Sequence, residues 1–188
     1  MDLDAGPVAP GRLEMVRAFV NTLDVEEDQD YLDTPGDLDA WTQTQGLAVP
    51  SAAPGEMPRL IELREALRTV LLAHHKNRDG VDEPAAEEII NAAMHWADVR
   101  PALSAQGLGW SATTDGTAGL VGQLLSTVAS ATVEGTWPRL KACHNDTCQW
   151  AFYDHSRSRT GRWCSMQVCG NRTKQQRFHQ KTASSPQN

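Results

Sequence analysis

The sequence predicts a mainly α protein (α+β) in two parts. A helical N-terminal body with one small β-hairpin is followed by a four-cysteine module made of a hairpin and a C-terminal helix. Three observations carry this reading. Apolar residues recur at spacings of three and four through most of residues 12–134, the period of helices with one buried face. All 4 cysteines fall late in the chain, as Cys143-x4-Cys148, a gap of 15 residues, then Cys164-x4-Cys169. The charge divides at the same place: residues 1–138 carry 8 Lys/Arg against 22 Asp/Glu, and residues 139–188 carry 9 against 2. At 188 residues the chain is long enough for one core and a small appended module. No apolar run reaches the ~18 residues of a membrane span. Met1 to Gly11 is acidic and rich in Pro and Gly, without the basic-then-apolar order of a signal peptide. The expected compartment is the cytoplasm, where clustered thiols stay reduced and favour metal over disulfide.

The elements follow in order. Residues 1–11 and 182–188 read as disordered tails. Leu13, Val16, Phe19, Val20 and Leu23 make one face of a first helix. The acidic stretch Asp24 to Asp33 reads as a solvated loop, without the ordered spacing of a calcium loop. Asp37 is expected to cap a short helix holding Leu38 and Trp41, which Gly46 stops. Leu60, Leu63, Leu67, Val70 and Leu71 predict the longest helix, over about 56–76, with His74 and His75 exposed at its end. Pro84 fits the first turn of a helix over about 84–97, with Ile89, Ile90, Ala93 and Trp96 inward. Residues 101–114 lose the helical period and read as a hairpin. A last helix spans 117–133, where Gly116, Gly119 and Gly122 point to close packing rather than a phosphate loop. Residues 134–138 form the hinge into the module, at 138–181.

Two close pairs of thiols at a fixed separation supply four soft ligands, the donor set of one tetrahedral, structural zinc ion. Cys143, Cys148, Cys164 and Cys169 are therefore the expected metal ligands, and the 15-residue gap is expected to hold a hairpin that returns the second pair to the first. Two disulfides, an iron–sulfur cluster, or His144 in place of one cysteine compete for the same residues. The first needs an oxidising compartment and the second usually takes other spacings. A module this small has too little core to fold unaided, so the metal supplies folding energy.

The stretches Arg139-Leu-Lys-Ala-Cys143, Cys148-Gln-Trp150-Ala-Phe152-Tyr153-Asp154 and Arg162-Trp163-Cys164, with Cys169-Gly170-Asn171-Arg172, resemble the CGNR zinc finger, named for that tetrapeptide. Upstream, Phe19-Val20-Asn21-Thr22, Asp37-Leu38-Asp39-Ala40-Trp41 and Leu63-Arg64-Glu65-Ala66-Leu67-Arg68 resemble the ABATE domain that usually precedes this finger. The resemblance implies a bacterial, stress-related transcription regulator with a mainly helical sensing domain. Gly161 departs from the pattern, since similar sequences often carry a polar or basic residue there.

A basic module beside an acidic body points to a polyanion as partner, with double-stranded DNA foremost. Arg157, Arg159 and Arg162 between the knuckles, and Arg172, Lys174, Arg177 and Lys181 on the terminal helix, are the expected phosphate contacts. Arg172, Gln175 and Gln176 are candidates to read base edges. For Arg172 the competing expectation is a bond to carbonyls around the metal loops. Trp150, Phe152 and Trp163 read as the module's small core, and Asp154 as an internal partner for a nearby cation. The resemblance further implies an effector pocket with Asn21, Trp41 and Arg64 as candidate ligand contacts; core, cap and surface-pair duties are the competing readings. One finger reads little sequence, so a homodimer is expected. No catalytic constellation is visible, and an enzyme is not expected. A protein–protein adaptor and an RNA-binding module are the rival functions.

Overall fold

The computed structural model describes residues 6–47, 52–53, 55–75, 81–105, 107–112 and 114–175. These include α1 (Leu13–Val20), β1 (Leu23–Asp24), β2 (Gln29–Asp30), α2 (Pro35–Thr44), α3 (Glu56–Ala73), α4 (Glu83–Trp96), β3 (Arg100–Ser104), β4 (Gly107–Ser111), α5 (Gly116–Val133), β5 (Leu140–Ala142) and β6 (Ala151–Tyr153). The strands form three antiparallel pairs, β1–β2, β3–β4 and β5–β6. A wide helical turn, Met166–Gly170, runs into helical backbone that continues to residue 175.

The helices form where the apolar period places them. In α3, Leu60, Leu63, Leu67 and Leu71 are at most 1 % exposed, and the helix packs on α1, α4 and the strand Leu140–Ala142. Each contributes about 2 kcal/mol of transfer free energy. The cap of α2 lies one turn earlier than expected. Thr34 is the N-cap, accepting from the Asp37 N–H, while the Asp37 carboxylate accepts from the Thr34 N–H at 2.8 Å. This reciprocal box satisfies two donors at once. Gly119 and Gly122 of α5 are packing positions, whereas Gly116 meets nothing within 4 Å and instead opens the helix at φ +66°. A Cβ at Gly119 would lie 2.4 Å from the Thr114 carbonyl oxygen, and one at Gly122 2.3 Å from the Ala112 Cβ. The segment leaving β4 therefore lies directly on α5.

The acidic stretch is more ordered than its composition implies. Leu23 and Asp24 pair with Asp30 and Gln29. Asp24 accepts from the Glu26 and Glu27 N–H groups, and Asp28 closes the turn at φ +52°. Residues 6–11, expected to be disordered, are held in place. The Pro7 carbonyl accepts from the Tyr153 N–H and the Val8 carbonyl accepts from His155, so this segment lines β6.

The cysteine-bearing segment is seated in the helical body. Leu140, Ala142, Ala151 and Tyr153 of β5–β6 belong to the same apolar core as α1, α3 and α5. Strand β5 lies on α3 and β6 on α1. A second, smaller cluster gathers Cys143, Cys148, Trp150 and Cys169, with Trp163 and Cys164 against it.

Candidate metal centre and basic face

The hairpin encloses the first cysteine pair rather than filling the gap between the pairs. Leu140 pairs with Tyr153 and Ala142 with Ala151, so Cys143 and Cys148 sit in the turn. The Cys143 N–H donates to the Trp150 carbonyl, and the Cys148 N–H to that of Asn145. Cys164 precedes the wide turn Met166–Gly170 and Cys169 lies within it; Ser165 caps its start by accepting from the Val168 N–H. Gly170 has no room for a side chain: a Cβ there would meet the Met166 sulfur at 3.0 Å and Trp163 at 3.3 Å.

All four thiols are free, and their sulfurs lie within 4.8 Å of one another. The Cys148–Cys164 and Cys164–Cys169 sulfur separations are both 3.7 Å. Four sulfurs about 2.3 Å from one zinc ion lie about 3.8 Å apart, whereas a disulfide requires about 2.05 Å. The site fits one zinc ion; it has neither the short contact of a disulfide nor the width of an iron–sulfur core. His144 is not a fifth candidate, because its Nε2 accepts from Arg162 at 2.8 Å and its ring meets Trp163 edge-on. The crowding has an electrostatic signature. Hydrogen bonds from the Cys148 and Cys164 thiols hold Cys143 well below the usual thiol range, and the contact with Cys143 pushes Cys148 and Cys164 upward. One sulfur ionises and opposes ionisation of the next. A dication supplies the missing countercharge, and four sulfurs leave it no open position for water.

The body positions the first knuckle with polar side chains. Asn21, which follows α1, donates to the Ala151 carbonyl at 3.0 Å and accepts from its N–H at 2.7 Å. Arg68 donates to the carbonyls of Val20 at 2.7 Å and Gln149 at 3.3 Å. His74 and His75, expected to be exposed, reach the Leu140 and Ala142 carbonyls at 2.7 and 2.6 Å. Burial lowers the His74 pKa, although its bond to Leu140 opposes the shift. The three residues considered for an effector pocket all have protein surroundings. Asn21 is bound to β6, Trp41 packs on Phe19 with centroids 5.7 Å apart, and Arg64 forks onto Asp30 at 2.6 and 2.7 Å. Arg64 is 1 % exposed, so it is a buried anchor for the β1–β2 turn rather than half of a surface pair.

A buried ion pair shapes the loop between the knuckles. Lys141 and Asp154, each 3 % exposed at the side chain, meet at 2.8 Å. Lys141 also donates to the carbonyls of Arg159 at 2.8 Å and Gly161 at 3.2 Å. Asp154 accepts from the Ser156 and Gly161 N–H groups at 3.0 and 2.7 Å. Burial alone would raise its pKa; the bonds from Lys141, Ser156 and Gly161 outweigh that and hold it at about 2. Gly161 is required here, because a Cβ would lie 2.8 Å from the Asp154 carboxylate. The departure from the family pattern thus accommodates the ion pair.

The loop places Arg157, Arg159 and Arg162 at the surface. Arg159 adopts φ +56°, a conformation costly for a side-chain-bearing residue. A cavity of about 130 Å³ lies between Arg159, Thr160 and Arg162, floored by Lys141 and His75. Arg172 stands apart from this group. It does not bond the metal loops; exposed, it forms an ion pair with Glu26 of the β1–β2 turn. Lys174 and Gln175 are exposed, whereas Gln176, Arg177 and Lys181 lie outside the described residues. Trp150 and Phe152 are buried and Trp163 half-buried, as a small core requires.

Sequence reasoning missed Arg68, His74, His75 and Lys141. One signal was available: Arg64 and Arg68 adjoin the leucine stripe of α3, so charged groups on that side need buried partners.

No curated protein matches the chain. Two family models do, and they divide it near residue 137. The model described as CGNR zinc finger matches residues 139–182, which contain all four cysteines and the arginine loop. The model described as "Putative stress-induced transcription regulator" matches residues 14–135, the helical body. With well over half of its length in that second match, the chain belongs to the ABATE family, carrying its CGNR zinc finger on the C-terminal side.

Proposed function

We propose that this protein is a zinc-dependent, duplex-DNA-binding regulator of transcription, and that the loop between its zinc knuckles is the principal phosphate contact. The loop 155–162 carries this reading. Its backbone is fixed from within by Lys141 and Asp154, and the guanidinium groups of Arg157 and Arg159 have no acidic partner among the described residues. Prearranged cations lose little freedom on meeting a phosphate, and Arg offers the forked donors that phosphate oxygens accept. The cavity between Arg159 and Arg162 has room for one phosphate group. The description of the matching family model, "Putative stress-induced transcription regulator", supports a regulatory role, and a four-sulfur zinc site is structural rather than catalytic. Reduced thiols require a reducing compartment, so the cytoplasm is the setting of this reading. No helix among the described residues is long and apolar enough to cross a membrane.

Anisotropy titration of zinc-loaded protein with duplex DNA tests the proposal. With ~3–5 phosphate contacts, log K falls with log salt at a slope of about −3 to −5. Each of Arg157→Gln, Arg159→Gln and Arg162→Gln reduces the slope by about 1. Absence of affinity at low salt, with zinc bound, overturns it.

A protein-binding role has one specific observation in its favour. Leu103 and Leu108 face each other across β3–β4 and are 85 % and 77 % exposed. That hairpin lies on the body, so a protein contact there is compatible with a finger on DNA.

A further inference from the structure

The two basic groups of the finger differ in what faces them. Arg157 and Arg159 are exposed without an acidic partner among the described residues, while Arg172, in the family's signature tetrapeptide, is held by Glu26. That contact joins residues 146 positions apart, from the body to the finger. Both partners keep solvent access, Arg172 at 48 % and Glu26 at 34 % of the side chain. The position of the turn bearing Glu26 is set by bonds to the body and within the turn. Arg64 forks onto Asp30, the Tyr31 N–H donates to the Thr22 carbonyl, and Asp24 ties the Glu26 and Glu27 N–H groups. Asp24, Glu26 and Glu27 form one wall of a cleft of about 440 Å³, and Cys148, Cys164, Cys169 and Arg172 form the other. A carboxylate wall at this point presents to Arg172 the charge that a DNA phosphate would present.

Resting on the DNA-binding reading above, we infer that the β1–β2 turn is an autoinhibitory latch, in which Glu26 occupies Arg172 and competes with the DNA backbone for it. The arginine loop makes the first contact with DNA. Arg172 joins only when the turn yields, so any change in the body that moves β1–β2 changes the affinity of the finger. Charge supports the direction of the effect. Four thiolates around Zn²⁺ leave a net negative cluster beside the acidic wall, so polyanion approach to this cleft is opposed until the wall withdraws. An ion pair with this much solvent access is weak enough to be displaced, which a reversible latch requires.

The test is a double-mutant cycle on full-length, zinc-loaded protein, read by duplex anisotropy at low salt. Glu26→Gln should tighten binding about two- to fivefold and steepen the salt slope by about one. In the Arg172→Gln background the same substitution should do no more than a charge removed outside the cleft. Glu87→Gln, which removes an equal charge from an exposed position on α4 outside the cleft, should give a smaller change. If wild type binds but E26Q gains no more than E87Q, or gains as much without Arg172, the latch is wrong and the DNA reading stands. If neither wild type nor E26Q binds duplex, both fall together.

Discussion

The two cysteine pairs face the same point from unlike surroundings. Cys143 and Cys148 hang from a hairpin whose strands fill the helical core and whose carbonyls are bound by Arg68, His74 and His75. Cys164 and Cys169 adjoin a short turn that leaves Met166 and Val168 56 % and 47 % exposed. That half is tied to the rest by the sulfurs, the Arg162–His144 contacts and the Arg172–Glu26 pair. The difference teaches how the site is assembled. The body holds two of the ligands through its own core, so zinc binding would matter most for fixing the other two.

The largest test of this asymmetry is removal of zinc. Hydrogen exchange should show amides of 140–153 still protected in the chelated protein, while 163–175 exchange freely, with Tm lowered by about 10 °C or more. Equal loss in both segments would erase the distinction. Next in size is Asp154→Asn, which leaves the Lys141 ammonium buried and unpaired. It should cost on the order of 3 kcal/mol in urea unfolding and release the arginine loop. Asn21→Ala removes two buried bonds to Ala151 and should cost about 2 kcal/mol, felt in the first knuckle more than the second.

The pH response should also single out the first knuckle. His74 has a pKa lowered from 6.5 by burial against Leu140, with Lys141 nearby opposing its charge. Its contribution to stability is complete above 6.5 and is lost as pH falls through the lowered value, because the unfolded chain binds the proton first. His74→Asn should flatten that slope, measured as wild type minus variant at each pH. Smallest is Glu26→Gln. A solvent-accessible ion pair contributes little to folding, so Tm should move by less than about 2 °C. This keeps the latch experiment free of folding artefacts.

The helices were legible because each depends on a local period that the chain displays, as in Leu60, Leu63, Leu67 and Leu71. The metal ligands were legible because few other residues do that chemistry. Gly119 and Gly122 were read rightly as packing positions. What escaped was pairing at long range. Strands of three residues, Leu-Lys-Ala and Ala-Phe-Tyr, are too short to show alternation and are buried on both faces. The main-chain atoms of the hairpin that Asn21, Arg68 and His75 bind lie 130, 81 and 67 positions away, and a carbonyl has no residue identity to read. The β1–β2 turn was hidden because its order comes from Arg64 and from Asx bonding within a stretch whose composition reads as solvated. Exposed guanidinium groups were found by charge count alone. Charge count did not reveal that Lys141 is buried or that Arg172 is occupied.

The way β5–β6 is embedded bears on how such a protein can be taken apart. A cut near residue 137, where the two family matches meet, would strip Leu140, Ala142, Ala151 and Tyr153 from their apolar contacts and leave an open wound on both fragments. This finger is therefore poorly suited to grafting onto a foreign scaffold. A transplant would have to carry the facing surfaces of α1 and α3 with it.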